Sequence, residues 1–126
     1  MRKILSVLLA LIFMFLSVPV FADNGALQFP MREGSSASAH KHNEEGITHF
    51  NLGHYDVALT HFQMASKIDP GVGESHYNEA LCLDKLGKHG GATNHFYAAR
   101  KYAHGNSAIL KSGILNDHAP MKSEGS

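Results

Sequence analysis

One fixed spacing runs through the middle of the chain and limits what it can fold into. Gly46-Ile47, Leu52-Gly53-His54-Tyr55, Ala58, Phe62, Ala65 and Pro70 recur, weakened, as Ala80-Leu81, Leu86-Gly87-Lys88-His89, Ala92, Phe96, Ala99 and His104. The pairs Glu45/Glu79, Leu52/Leu86, Gly53/Gly87, Ala58/Ala92, His61/His95, Phe62/Phe96 and Ala65/Ala99 are each 34 apart. A fixed period of this length is one supersecondary unit used twice. Such units bury their apolar faces against neighbouring units rather than around a closed centre. The period therefore predicts a stacking scaffold, for which the functional question is which partner rather than which reaction.

Five helices are expected, and no segment reads as a strand. The first runs from about His40 to Leu52 and stops at Gly53. The second, about Tyr55 to Ile68, places Tyr55, Ala58, Leu59, Phe62 and Ala65 on one apolar face. Asp69-Pro70-Gly71 stops it, because proline cannot continue a helix. The third runs from about Glu74 to Leu86 and the fourth from about Gly91 to Ala103, with a first turn weakened by Gly90 and Gly91. The fifth, about Ser107 to Asp117 and capped by Asn106 or Ser107, carries Ile109, Leu110, Ile114 and Leu115. Two-residue turns at Gly53-His54 and Lys88-His89 make each pair antiparallel, and the fifth helix is placed to close the open end.

Residues 1–22 read as an export signal: Arg2 and Lys3, an apolar stretch from Ile4 to Leu16, then Val20-Phe21-Ala22 as a processing site. Cleavage is expected between Ala22 and Asp23, which puts the protein in the periplasm or outside the cell. An uncleaved anchor is the alternative, since the apolar run from Ile4 to Phe21 is just long enough to span a bilayer. Residues 23–38 and 118–126 are polar and read as a flexible linker and tail. The folded part is then 39–117: repeat one 39–72, repeat two 73–106 and a capping helix 107–117.

The whole chain has 11 basic and 11 acidic residues; without Arg2 and Lys3 it carries nine and 11, a formal charge of about −2. No clustered basic face points to nucleic acid. The single cysteine, Cys82, excludes an intrachain disulfide, and its leucine neighbours predict a buried thiol of raised pKa.

The repeat resembles the tetratricopeptide repeat (TPR), a helix–turn–helix unit of about 34 residues. Gly46, Tyr55, Ala58, Phe62, Ala65 and Pro70 stand on its small and bulky positions and Gly53 on its turn glycine; Ala80, Gly87, Ala92, Phe96 and Ala99 repeat the match. The chain departs from that pattern at His42 and His76, where the family has tryptophan, at His49 and His89, where it has aromatics, and at His104, where it has proline. The resemblance implies an all-α fold: a short right-handed solenoid of two helical hairpins plus a C-terminal capping helix. It also implies a concave groove lined by the first helix of each unit, here His40, Asn43, Ile47, Phe50 and Asn51, then Glu74, Tyr77, Leu81, Asp84 and Lys85. This mixed surface lacks the Lys/Asn/Arg set with which some members clamp a terminal carboxylate. It suits an extended or helical apolar segment of a partner protein, or else is simply a solvated face. Leu27, Phe29 and Met31 of the chain's own N-terminal segment are within reach of it.

Ten histidines invite a metal or haem reading. No two are three or four apart, as a ligand pair on one helix would be, and Cys-x-x-Cys-His is absent. His61 and His95 fall in different repeats, too far apart to share one ion. The spacing thus assigns no metal site and no cofactor. His42, His49 and His76 read as half-buried aromatic positions, whose protonation should cost stability; His54, His61, His89 and His95 read as surface residues. Neither a catalytic residue nor an enzymatic constellation emerges. The expected function is a non-catalytic protein-interaction module in the bacterial envelope, as an adaptor, assembly or stability factor. The alternatives are a His-rich metal- or haem-handling protein and a self-assembling module. Two repeats fall short of the usual three, so a homodimer or dependence on a partner is also expected.

Overall fold

The computed structural model describes residues 25–122. The expected leader and its cleavage point lie outside the described residues, as do residues 123–126. Among the described residues the chain is all-helical. α1 (Ala37–Asn51) and α2 (Tyr55–Ile68) make one hairpin, and α3 (Gly73–Lys85) and α4 (His89–Lys101) a second. Two short helices, α5 (Ser107–Leu110) and α6 (Gly113–His118), follow. α2 packs on α3 and joins the hairpins, while α6 lies against α4.

Both hairpin turns are built the same way. At the end of α1 the His54 N–H donates to the His49 carbonyl at 2.9 Å and the Gly53 N–H to Phe50 at 3.0 Å. At the end of α3, Lys88 donates to Leu83 at 2.8 Å and Gly87 to Asp84 at 3.0 Å. These paired bonds satisfy the last carbonyls of a helix and require a left-handed residue at the turn. Gly53 and Gly87 supply it, with φ of 78° and 77°.

The small–large order seen in the sequence is the packing of each hairpin. Ala58, Phe62, Ala65, Ala92, Phe96 and Ala99 are fully buried. Phe62 presses its ring onto Gly46 so closely that a Cβ there would sit 2.5 Å from the ring. In the second hairpin Ala80 replaces Gly46, and Tyr77 meets Phe96 edge-on with centroids 5.7 Å apart. Cys82 is buried; burial, with a contribution from the Glu79 charge, pushes its thiol up to about 12.

Four expectations need correction. α1 begins at Ala37 rather than His40, because the Ser36 hydroxyl accepts the Ala39 N–H at 3.2 Å and caps it. α4 includes Gly90 and Gly91 and ends at Lys101. The single capping helix is two helices: the chain breaks at Lys111, and Ser112 caps α6 by accepting the Leu115 N–H at 3.3 Å. Buried Ser112 also bonds the Tyr77 hydroxyl at 2.9 Å, which ties the break to α3. Finally, the expected linker and tail each contribute residues to a core, although residues 31–34 and 120–122 are exposed. Phe29 is buried with Ala39, Ala65 and Val72, Ala26 and Leu27 lie against the main core, and Ala119 is buried in it.

Gly46→Ala should destabilise the fold by about 1–3 kcal/mol, the usual cost of forcing atoms into a packed contact. Urea unfolding followed by helical circular dichroism measures it; an unchanged midpoint would show that Phe62 moves aside freely.

Candidate functional site

The face formed by α1 and α3 carries a non-helical stretch of the chain's own N-terminal segment. Asn78 on α3 accepts the Leu27 N–H through Oδ1 at 2.6 Å and donates from Nδ2 to the Leu27 carbonyl at 2.8 Å. Asn43 on α1 donates to the same carbonyl at 3.0 Å, and its Oδ1 accepts from Asn78 Nδ2 at 2.9 Å. Both amides are completely buried. Two residues away, Phe29 is buried and meets the His40 ring edge-on with centroids 6.1 Å apart. The two amides bind Leu27 through its main chain, while the Leu27 side chain lies against the core and Phe29 is buried, so the backbone and the apolar side chains are fixed together.

The residues expected to line a groove divide accordingly. Asn43 and half-buried His40 meet the segment. Ile47 is half-buried against the core. Phe50, Tyr77 and Leu81 are buried core residues rather than groove surface, Phe50 edge-on to Tyr55 and Tyr77 bonded to Ser112. Glu74 is buried too: Asn106 donates to its Oε1 at 2.8 Å, with Arg32 3.9 Å away. Asn51 and Lys85 are exposed, the Lys85 ammonium 5.9 Å over the Tyr55 ring. Asp84 is engaged by α4 and α6, bonded by His89 and His118 at 2.9 Å each. Asn78, the central contact, escapes a sequence reading because its counterpart in the first copy is Glu44 and the repeat gives no signal there.

On the seam between the helices of each hairpin lies a set that the spacing of histidines did not anticipate. His42 and Glu45 on α1 meet His61 on α2; Glu45 Oε2 is 3.6 Å from His42 Nδ1 and 3.2 Å from His61 Nδ1. His76 and Glu79 on α3 meet His95 on α4, with Glu79 Oε2 3.3 and 3.4 Å from the two Nδ1 atoms. The two sets correspond at all three positions by the period of the repeat. His61 and His95 are therefore half-buried partners of a carboxylate, not free surface residues. A one-helix spacing rule misses them because each histidine pair is split across a hairpin, one ring on each helix.

The second set is the more enclosed. Glu79 is buried and accepts the Ser66 hydroxyl at 2.7 Å. His76 Nε2 donates to the Pro70 carbonyl at 2.7 Å. The His76 ring is stacked between His95 and Tyr102, 5.8 Å from each. Burial is the largest single influence on His76 and opposes its charge, but the Glu79 carboxylate and the Pro70 carbonyl together outweigh it and raise the pKa above 6.5. For His76 the expectation that protonation costs stability is thus reversed.

No protein-family model, curated protein or solved structure matches this chain.

A raised folded-state pKa means that the His76 contribution to stability is complete below pH 6.5 and is lost as pH rises through the higher folded value. In chelator-treated protein the thermal midpoint should therefore fall as pH rises above 6.5, and His76→Gln should flatten that slope. A wild-type midpoint that rises over the same range contradicts the assignment.

Proposed function

We propose that the chain is a non-catalytic protein-interaction module of the tetratricopeptide-repeat type that holds an extended segment across α1 and α3. The support is the period of the sequence, the two matching hairpins, and above all the buried Asn43–Asn78 pair that grips both the N–H and the carbonyl of Leu27. Because the amides grip the main chain, a partner segment can take the place of residues 25–30 provided that it brings apolar side chains for the places of Leu27 and Phe29. The chain's own segment then acts as an internal occupant, which a partner must displace or extend. With the expected export signal, such a module would serve as an adaptor or assembly factor in the bacterial envelope.

The test compares the full chain with one that starts at Arg32, leaving the Ser36 cap intact, each mixed with a labelled peptide of residues 23–31. The shortened chain should bind the peptide saturably, or regain its helix content on adding it, and the full chain should bind it much more weakly. Asn78→Ala in the shortened chain should weaken binding about 5- to 100-fold, since it strands the Leu27 N–H, while the Leu27 carbonyl keeps its bond from Asn43, at about 1–3 kcal/mol. A folded shortened chain that ignores the peptide would overturn the proposal. Truncating Phe50 or Leu81 would be uninformative, because both are core residues.

A further inference from the structure

We propose that the two hairpin seams are metal sites: His76, Glu79 and His95 bind a first-row divalent transition ion of the Zn²⁺ class, and His42, Glu45 and His61 bind a second, more weakly.

Four observations carry this. The first is the donor geometry. Each set offers two imidazole nitrogens and one carboxylate oxygen, all within 4.8 Å of one another. Zinc–nitrogen bonds of about 2.0–2.1 Å put neighbouring ligand atoms roughly 3.3 Å apart in a tetrahedron. The four histidine–glutamate separations are 3.2–3.6 Å. Second, the Nδ1 atoms of His42, His61, His76 and His95 are all buried and none has a hydrogen-bond partner. Buried polar atoms are normally satisfied; of the seven described side-chain atoms that are not, these four are the only ring nitrogens, and they face the same two carboxylates.

Third, outer contacts set the rings for ligation. A carbonyl only accepts, so the bond to Pro70 places a proton on His76 Nε2 and, in the neutral ring, leaves the Nδ1 lone pair facing Glu79. A lone pair 3.3 Å from a carboxylate oxygen is repelled unless a proton or a metal ion lies between them, and the metal takes the proton's place. Metal-bound histidines typically donate their other nitrogen to a carbonyl in this way, and ligating carboxylates are themselves hydrogen-bonded, as Ser66 bonds Glu79. Fourth, the arrangement occurs twice at the same three repeat positions, which a chance surface cluster would not do.

The group Asp84, His89 and His118 provides the contrast. There both ring nitrogens already bond one carboxylate oxygen at 2.9 Å, so the cluster closes on itself and ties α6 to α3 and α4. The second-repeat site should bind more tightly than the first, because Glu79 is 4% exposed at its side chain and Glu45 is 41%. Two imidazoles and one carboxylate favour Zn²⁺, Cu²⁺ or Ni²⁺ over Ca²⁺ or Mg²⁺.

The test is calorimetric titration of the chelator-stripped full chain with zinc sulfate, alongside His95→Gln, Glu79→Gln and His61→Gln, with helix content checked for each. The wild type should take up two ions with unequal affinity and melt at a higher temperature when loaded. His95→Gln and Glu79→Gln should each weaken the tighter event at least tenfold; the glutamine oxygen keeps the Ser66 bond, so Glu79→Gln removes charge rather than structure. His61→Gln should remove only the weaker event. Co²⁺ should give the intense visible bands of a four-coordinate site, lost in His95→Gln. No saturable uptake, or uptake that none of the three variants changes, overturns the proposal. One ion lost only in the His95 and Glu79 variants overturns the first-repeat site alone.

Discussion

The close approach of the two helices in each hairpin decides almost everything else in this molecule. Phe62 occupies the space over Gly46, and Phe96 is buried with Ala80 in the second unit. These contacts are neighbours in sequence of the polar ones: Glu45 precedes Gly46 and His61 precedes Phe62, as Glu79 precedes Ala80 and His95 precedes Phe96. The packing that draws the backbones together thereby fixes how far each glutamate stands from the histidine across the seam. That distance is 3.2 Å in one hairpin and 3.4 Å in the other. A bulkier residue at position 46 would part the helices and the polar pair with them, so the apolar core and the polar seam are one constraint seen from two sides.

The N-terminal segment follows from a different requirement. α1 and α3 each bring a fully buried asparagine to their shared face, and a buried amide without partners costs about 1–3 kcal/mol. The Leu27 main chain satisfies them, and they satisfy it. The segment is therefore held by groups that would be left stranded without it, while Phe29 contributes a separate apolar anchor among Ala39, Ala65 and Val72. Only one hydrogen bond links the amides directly to each other. The other three go to the segment, which gives the face a standing demand for a main-chain N–H and carbonyl.

Much of this is legible in the sequence. The period locates the two hairpins, and Gly53 and Gly87 mark turns that need left-handed backbone. The Ala58-Phe62-Ala65 and Ala92-Phe96-Ala99 runs mark the buried seams. What escapes is contact between elements. Asn43 stands out by its position on α1, but Asn78 does not, because its role depends on a segment 51 residues away in sequence. Phe50, Tyr77 and Leu81 look like open groove, since the period alone does not show that they join the main core, Phe50 against Tyr55 of its own hairpin and Tyr77 against Ser112. The break at Ser112 is hidden because Ile109, Leu110, Ile114 and Leu115 suit a continuous helix nearly as well as two short ones. The His–Glu–His sets do leave a signal: all three positions recur with the repeat. Requiring two histidines on one helix discards it, whereas a hairpin brings together residues that no one-helix spacing can.

The two seams share a plan but not an environment, and the difference comes from stacking. Glu79 lies on α3, where α2 of the preceding hairpin supplies the Ser66 hydroxyl and shields the carboxylate. Glu45 lies on α1, with no preceding hairpin among the described residues, and is left substantially exposed. A carboxylate in water gains little from a nearby imidazolium, whereas one removed from water depends on its partners much more strongly. Repetition of sequence therefore does not give repetition of strength. The first hairpin leaves its carboxylate in solvent, while the second has its carboxylate enclosed by the hairpin before it; the two seams differ in the burial of the glutamate and not in that of the histidines.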